Sequence, residues 1–280
     1  MLIHPEFDPV AFWIGPIPFR WYGIMYILAF TFFVLLGKKQ LKHSFRLCGV
    51  YKKDVDDLLM YGVLGVIIGG RLGYVIFYNI SFFIQNPLEI FAVWHGGMSF
   101  HGGLFGVILS LIIFAKTRPN FGKRKLKTKK FWHRFILVCD FVAPLVPLGL
   151  FFGRIGNFIN GELYGRVCSS HIPWSMIFPQ SGLLEPRHPS QLYQALGEGF
   201  LLFIFLFIIS KRNPDLGKLS AFFLIGYSAF RFTSEFFREP DYHLGLPLFN
   251  FSMGQLLCVP TIILGFVILV FSKNNSRKKL

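Results

Sequence analysis

Long runs of apolar residues are the feature of this 280-residue chain that most restricts how it can fold. A helix needs about 20 mostly apolar residues to cross a bilayer. We therefore predict an all-α polytopic membrane protein, in which residues 1–280 form a single integral membrane domain. Seven segments are candidates for its transmembrane helices: 22–37, 55–79, 97–115, 135–153, 189–210, 219–237 and 253–272.

The composition agrees with a membrane protein rather than a soluble one. Hydrophobic residues make up 53% of the chain and charged residues only 15%, whereas soluble domains average about 25% charged residues. The four cysteines are far apart in sequence and lack the spacing of a zinc or redox motif, so we expect no metal site.

The basic residues alternate between successive connecting segments. Four segments hold 22 of the 29 Lys and Arg residues, and the segments between them hold five. Because cytoplasmic loops are enriched in Lys and Arg, the N-terminus is predicted to lie outside and the C-terminus in the cytoplasm. Topology thereby explains the net charge of +15, and we expect no nucleic-acid partner. The basic segments are 38–54, 116–134, 211–218 and 273–280.

Segment 154–188 is the only sizeable outer connection between spans, and we expect it to form a small periplasmic cap. It begins within a polar string, residues 153–166, that holds two Arg, two Asn, one Glu and four Gly. Arginines beside exposed amides can cradle phosphate oxygens, which favours an anion site over a plain cap loop. The string lacks the Lys-Ser/Thr pair of a nucleotide-binding loop.

Ionisable side chains inside the predicted spans suggest function, because they are costly in a membrane. Arg71 lies in the outer half of the second span, and we predict that it binds an anionic lipid. Glu198 lies in the middle of the fifth span.

Four polar residues near the outer end of the sixth span share one helix face, because their spacings are four, four and three. The face allows an ion pair between Arg231 and Glu235. That pair either joins helices or orients an arginine towards an anionic ligand, and the additional Arg and Tyr favour the second function. The four residues are Tyr227, Arg231, Glu235 and Arg238.

Glycine pairs flank His101 at residues 96–97 and 102–103. A histidine titrates near neutral pH and can serve as a general base. The alternative is close helix packing with an interfacial histidine. Tyr22 opens the first span, where aromatic residues are common at the membrane interface. Eight of the polar candidates map to the outer half or outer interface of the predicted membrane domain: Tyr22, Arg71, His101, Arg154, Asn157, Arg231, Glu235 and Arg238.

Along nearly its whole length the chain resembles the bacterial prolipoprotein diacylglyceryl transferases. The elements that carry the resemblance are His4–Pro9, Trp21–Gly23, Gly69–Tyr74, His101–Leu104, Gly153–Arg166, His188–Tyr193, Arg231–Phe232 and Glu235–Arg238. The resemblance implies a multi-pass enzyme of the bacterial cytoplasmic (inner) membrane. Its implied reaction transfers the diacylglyceryl group of phosphatidylglycerol to the lipobox cysteine of preprolipoprotein signal peptides and releases glycerol phosphate.

The resemblance also implies functional positions. We expect catalytic roles for Tyr22, His101, Arg154, Asn157 and Arg231. We expect phosphatidylglycerol binding by Arg154, Asn157, Tyr227, Arg231 and Arg238, together with Arg71 from its position in a span. We expect orienting or structural roles for Glu162, Gly165, Glu235 and Glu198. The family often has Glu where this chain has Gln194, and Glu198, one turn later, is expected to supply the carboxylate.

The implied chemistry needs no nucleophile from the enzyme, since the substrate supplies a thiol that reacts as its thiolate. His101 is the candidate base, and the alternative is an arginine-polarised mechanism without a histidine base. Arg154, Arg231 and Asn157 are expected to stabilise the departing phosphate, with Glu235 and Glu162 orienting the arginines. No metal or organic cofactor is implied.

Two other functions fit parts of the pattern. Intramembrane arginines and glycine-rich helices also suit a transporter or flippase of an anionic lipid. The polar residues concentrate in the outer half and no clear inverted repeat is visible, which favours the transferase. A non-catalytic membrane scaffold would not require His101 together with the Arg-Asn-Glu string.

Overall fold

Helices make up most of the protein, as the apolar runs predict. The chain divides into two units, one formed by residues 1–37 with 140–280 and the other by residues 38–139. The structure, a computed structural model, describes residues 2–43, 50–118, 131–239 and 251–277. Many of the Lys and Arg residues from which the orientation is predicted lie outside these ranges.

Five helices of the described ranges are long and apolar enough to cross a membrane, and a bent pair of helices raises the number to six. This confirms a polytopic membrane protein. The long helices are α1 (Trp21–His43), α2 (Lys52–Tyr78), α4 (Phe100–Thr117), the continuous run Ser190–Lys211 and α10 (Met253–Arg277).

The predicted fourth span, 135–153, is wrong as a single helix. It consists of α5 (Phe131–Val142) and α6 (Val146–Ile159), which are bent by 45°. Pro144 lies in the break, where a proline removes a helical N–H and clashes with the preceding turn. Consequently residues 154–159, predicted to belong to the cap, are the last turns of α6.

The run Ser190–Lys211 is continuous but changes its helical type. It begins as α7 (Ser190–Gln194), continues as a π-helical segment (Ala195–Leu201) and ends as α8 (Leu202–Lys211). π-helical turns are rare and occur mostly at functional sites. No pattern in the sequence predicts this one.

Helix α9 (Lys218–Ser234) has 17 residues. It ends three residues before the C-terminal end of the predicted span, 219–237. Its first turn is capped by a side chain from α5. The buried Asp140 carboxylate accepts hydrogen bonds from the backbone N–H of Gly217 at 2.6 Å and of Ser220 at 2.9 Å. This cap satisfies N–H groups that a helix start leaves without intrahelical partners.

Strands occur in addition to the predicted helices, and those within the described ranges belong to the first unit. A hairpin of β2 (Val10–Ile14) and β3 (Ile17–Arg20) leads into α1. A second, three-stranded sheet has the order β1-β4-β5, with β1 parallel to β4 and β4 antiparallel to β5. Its strands are β1 (Leu2–Ile3), β4 (Met176–Ile177) and β5 (Pro186–Arg187).

In the second unit, α2 and α4 pack backbone against backbone. A Cβ atom added to Gly106 would lie 2.0 Å from the carbonyl oxygen of Gly65, and one added to Gly102 would lie 2.3 Å from that of Gly69. Small residues four apart permit this close approach of membrane helices. Between the two helices the chain forms α3 (Ile80–Gln85) and two short 3₁₀ helices.

Candidate functional site

Glu198 lies at the centre of the charged residues that the first unit brings together. It is fully buried in the π-helical segment. Its Oε2 lies 3.7 Å from Nη2 of Arg154, and its Oε1 lies 3.9 Å from Nη1 of Arg231. The hydroxyl of Ser234 donates a hydrogen bond of 3.0 Å to Oε1. One carboxylate therefore faces arginines from two different helices, α6 and α9.

Close packing explains how Glu198 reaches α6. A Cβ atom on the next residue, Gly199, would lie 2.7 Å from Cα of Phe151, so only glycine lets the π-helical segment approach α6 this closely. Phe151 precedes Arg154 by three residues and lies on the same side of α6. Sequence reasoning expected the carboxylate of Glu198, but it did not predict this packing.

Glu235 is a second buried carboxylate and also contacts two arginines. Its Oε1 lies 2.5 Å from Nη2 of Arg231 and 3.1 Å from Nη1 of Arg238. The pairing of Arg231 with Glu235 that the helical spacing predicts is therefore confirmed. The hydroxyl of Ser252 donates to Oε2 at 2.7 Å, a contact that sequence reasoning missed because 17 residues separate the two.

These five residues form what we call the arginine–carboxylate cluster: Arg154, Glu198, Arg231, Glu235 and Arg238. Its three arginines and two glutamates leave one formal positive charge. The ion pairs of Glu198 are longer than hydrogen bonds, which join N–H to O at about 2.7–3.2 Å. Among the described residues, Nη1 of Arg231 and Oε2 of Glu198 have no hydrogen-bond partner. The cluster thus combines an excess of positive charge with an available guanidinium donor.

Tyr227 lies on α9 one turn before Arg231 and interacts electrostatically with Glu198, Arg231 and Arg154. Its position extends the same helix face towards the middle of α9. Three residues of the stripe predicted from the sequence, Arg231, Glu235 and Arg238, therefore belong to the cluster, and Tyr227 adjoins it.

Tyr22 and Asn157 are both found at α6, the helix that carries Arg154. A Cβ atom on Gly156 would lie 2.8 Å from Cδ2 of Tyr22, so the tyrosine ring packs directly on α6. Asn157 is buried, and its amide lies 3.5 Å from Oε2 of Glu162, at the limit of a hydrogen bond. The first half of the polar string, residues 153–159, is therefore the end of α6, and Tyr22 packs against it at Gly156.

Glu162 differs from its expected role. Its Oε1 accepts a hydrogen bond of 3.1 Å from Asn160, and its other oxygen faces Asn157. These contacts orient amides, whereas the sequence analysis expected Glu162 to orient an arginine. The backbone carbonyl of Glu162 also accepts from Gln191 at 2.7 Å, which ties this turn to the start of α7.

Gly165 sets the position of the backbone at Arg238. The two residues form an antiparallel bridge. A Cβ atom on Gly165 would lie 2.4 Å from the carbonyl oxygen of His188 and 2.5 Å from that of Phe237. Arg166 adds a hydrogen bond of 2.9 Å to the carbonyl of Arg238. Glycine is required here because three backbone segments meet.

Arg71 lies in the second unit, and its contacts do not favour the predicted role in lipid binding. Its buried guanidinium donates to five backbone carbonyls at 2.5–3.2 Å. A guanidinium has five N–H groups, so each is matched by one carbonyl and none is left for a phosphate. The carbonyls belong to Glu89, Ile90, Ala92, Gly96 and Gly97.

His101 also lies in the second unit, in the first turn of α4, and its side chain is exposed. Ser99 caps this helix by accepting a hydrogen bond from the backbone N–H of Gly102. The neighbouring Gly102 is explained by packing against α2. The glycines are therefore no evidence for catalysis at His101. The support for a catalytic role that remains is the exposure of its imidazole.

Gln194 replaces the glutamate that the family often carries. It is buried, and its Nε2 has no hydrogen-bond partner among the described residues. Within those same ranges, no group of three or more His, Cys, Asp or Glu side chains is arranged to hold a metal ion.

The chain is similar to known proteins over nearly its whole length. The model of a family described as prolipoprotein diacylglyceryl transferase matches residues 9–271. Proteins named phosphatidylglycerol–prolipoprotein diacylglyceryl transferase are 50% identical over 281 residues in Paracidovorax citrulli and 51% identical over 273 residues in Methylibium petroleiphilum. These alignments cover 98% and 97% of this chain, and 99% and 98% of the relatives. The Polaromonas naphthalenivorans relative is 47% identical, with both chains covered completely.

Proposed function

This chain belongs to the prolipoprotein diacylglyceryl transferase family, and from that premise we propose that its arginine–carboxylate cluster binds the phosphate of phosphatidylglycerol. The enzyme transfers the diacylglyceryl group of this lipid to the lipobox cysteine of a preprolipoprotein signal peptide. Glycerol phosphate is the second product. The reaction belongs to the maturation of bacterial lipoproteins.

The observation that carries this assignment is the unfilled hydrogen-bonding capacity beside Glu198. Among the described residues, Nη1 of Arg231 donates to no acceptor, and Arg154 contacts Glu198 only at ionic distance. A phosphodiester carries a single negative charge, which matches the one positive charge left in the cluster. Guanidinium groups bind phosphate oxygens through parallel, charge-assisted hydrogen bonds.

The bond changes define what the site must do. The thiolate sulfur attacks the glycerol carbon that carries the phosphate ester, a carbon–sulfur bond forms and the carbon–oxygen bond breaks. The electron pair leaves on the phosphate oxygen of glycerol phosphate, where Arg154 and Arg231 stabilise the developing charge. The thiol proton goes to a base, for which His101 is our candidate. Tyr22 and Asn157 are further candidates for catalytic roles, with Asn157 one helical turn after Arg154 on α6.

The carboxylates keep the arginines in place for this step. Glu198 faces both Arg154 and Arg231, and Glu235 pairs with both Arg231 and Arg238. A buried charge without a partner would be much less favourable. The arginines are therefore positioned before the lipid arrives, which lowers the reorganisation needed during the reaction.

The enzyme is a multi-pass protein of the bacterial membrane, and we propose seven spans, counting the bent pair α5–α6 and the short α9. The N-terminus faces outwards and the C-terminus faces the cytoplasm, with segment 154–188 in the periplasm. Thiol labelling of intact cells tests this orientation with single cysteines. Residues 169–185 should react from outside and residues 123–130 should not, and the reverse pattern contradicts it.

A defined assay tests the function. Purified enzyme is incubated with a lipobox peptide and either phosphatidylglycerol or phosphatidylethanolamine, and the products are analysed by mass spectrometry. We expect a diacylglyceryl thioether on the peptide cysteine and free glycerol phosphate with the first lipid. Equal product from both lipids contradicts recognition of the glycerol phosphate headgroup, and absence of the thioether contradicts the reaction.

A further inference from the structure

The connection between α2 and α4, residues 79–99, is organised around Arg71 in a way that the transfer reaction does not use. It contains α3 (Ile80–Gln85) and, after it, two short 3₁₀ helices, Pro87–Phe91 and Val93–His95. Their carbonyls, with those of the glycine pair that follows, point at the buried guanidinium. The connection is therefore a folded element with its polar backbone turned inwards.

The outside of this element is apolar. Leu88 and Phe91 lie one turn apart in the first 3₁₀ helix, which has three residues per turn, and Trp94 follows three residues later. Their exposed fractions are 83%, 73% and 75%. Exposed apolar side chains of this size in one patch indicate an interaction surface.

The charges of the connection do not interrupt this surface. Segment 80–96 contains no Lys or Arg. Its acidic residue, Glu89, forms an ion pair of 2.9 Å with His95. Both thus have a partner within the connection.

The apolar surface also continues along the neighbouring helices. Phe77 near the end of α2 and Phe100 at the start of α4 are each more than two-thirds exposed. Both helices are long and apolar enough to cross a membrane. The apolar surface of the connection is thus continuous with that of two candidate membrane helices, which favours contact with lipid.

We propose that the α2–α4 connection is an interfacial membrane anchor, with Leu88, Phe91 and Trp94 inserted into the acyl-chain region of the outer leaflet. Trp is enriched at the membrane–water interface that borders this region, because its ring is apolar and its N–H is polar. Arg71 is a positioning residue for this anchor rather than a lipid ligand.

The backbone explains why an arginine is needed. At a depth with little water, every carbonyl needs an internal partner, and irregular backbone is tolerated only where the protein supplies one. Gly96 and Gly97 have φ values of 82° and 74°, and their carbonyls turn towards the guanidinium. A single side chain thereby satisfies five carbonyls and permits a non-helical segment at the membrane surface.

Spin-label accessibility measures the proposed depth. Single cysteines at positions 88, 91 and 94 are introduced into the enzyme with its native cysteines replaced, labelled with a nitroxide and reconstituted in phosphatidylglycerol–phosphatidylethanolamine vesicles. Relaxation by oxygen reports lipid, and relaxation by a water-soluble nickel chelate reports water. Ile108 on α4 and Leu184 in segment 154–188 are matched exposed positions for lipid and water.

We expect labels at 91 and 94 to resemble Ile108, with oxygen relaxation dominant. Accessibility to nickel equal to that at Leu184 overturns the proposal. Spin–spin broadening between labels would mean contact with a second copy of the chain, and protection only after addition of a lipobox peptide would mean a peptide surface. Either result also overturns it.

An Arg71→Lys variant tests the positioning role. An ammonium has three N–H groups and cannot span five carbonyls, so nickel accessibility at position 94 should rise several-fold. An unchanged label depth contradicts the role of Arg71. If the variant does not fold, the depth measured with Arg71 in place still decides the membrane anchor.

Discussion

Oε2 of Glu198 lies 3.7 Å from Nη2 of Arg154, close enough for ionic attraction but longer than a hydrogen bond. Arg231 shows the same relationship to the other oxygen of this carboxylate, at 3.9 Å. A phosphate that enters here replaces long ionic contacts by short charge-assisted hydrogen bonds. In the phosphate-binding role proposed above, the anion would bind without first breaking a strong ion pair between Glu198 and either arginine.

The geometry predicts that Arg154→Lys and Arg231→Lys fail nearly as badly as the alanine variants. Lysine keeps the charge but cannot bind two oxygens in parallel. Loss of one such donor reduces the rate by about 10²–10³. The measurement is turnover of phosphatidylglycerol by folded, inserted protein, with the exposed Arg212→Lys as the control. Near-normal rates in both variants would make the arginines purely structural.

Replacement of Glu198 by Gln should affect both stability and turnover. Removing one partner of a buried ion pair costs about 3–5 kcal/mol, because the remaining charge is left uncompensated. Thermal unfolding in detergent should shift to lower temperature, and KM for phosphatidylglycerol should change as Arg154 and Arg231 reorient. Glu185→Gln is the control, since Glu185 is about half-exposed. Equal, small effects in the two variants would contradict the central position of Glu198.

Gly165→Ala should lower activity through the backbone of Arg238. The added methyl would lie within 2.5 Å of two carbonyl oxygens, and overpacking of this kind costs about 1–3 kcal/mol. Gly149→Ala is the matched control, because nothing lies within 4 Å of its added Cβ. Turnover and thermal stability are measured together. If Gly165→Ala behaves like the control, the contact between segments 165–166 and 237–238 is not tight in solution.

Replacing all four cysteines should leave most of the turnover intact, since the reacting thiol belongs to the substrate. Burial raises the pKa of the Cys168 thiol, which lowers its thiolate fraction at neutral pH. Cys258 is buried, so its replacement is expected to reduce stability more than activity. Complete loss of turnover in a well-folded Cys168→Ser variant would indicate a covalent enzyme intermediate.

His101→Gln separates general-base catalysis from lipid binding. Help from a general base contributes roughly 10²–10⁴-fold to the rate, so kcat should fall while binding of phosphatidylglycerol survives. The exposed His171→Gln is the control. Turnover like that of the unmodified enzyme would favour the arginine-polarised mechanism. A loss of lipid affinity equal to the loss of rate would instead make His101 a headgroup contact.

The parts of the site that follow helical spacing could be predicted from the sequence. Arg231, Glu235 and Arg238 pair as their offsets of four and three require, because neighbours on a helix surface are set by local geometry. The apolar runs likewise predict most of the membrane helices, because the thickness of a bilayer fixes their length.

Long-range and irregular features could not be predicted. The contact of Ser252 with Glu235 depends on tertiary packing across 17 residues. The π-helical turn at Glu198 leaves no signature in the order of apolar residues. The partners of Arg71 could not be predicted either, because a sequence shows that a buried cation needs partners but does not show that backbone carbonyls supply them. The proline break, by contrast, was visible at Pro144 and was overlooked.

The pairing of β1 with β4 imposes an order on biogenesis. Leu2 and Ile3 align with Met176 and Ile177, so this sheet cannot close until Met176 has been synthesised and moved to the same side of the membrane. Contacts between residues so far apart in sequence form late, because closing the long intervening loop costs conformational entropy. Helices α1, α2 and α4 are therefore expected to enter the bilayer before this sheet closes. A chain stalled before Met176 would lack the sheet, and we expect it to lack activity.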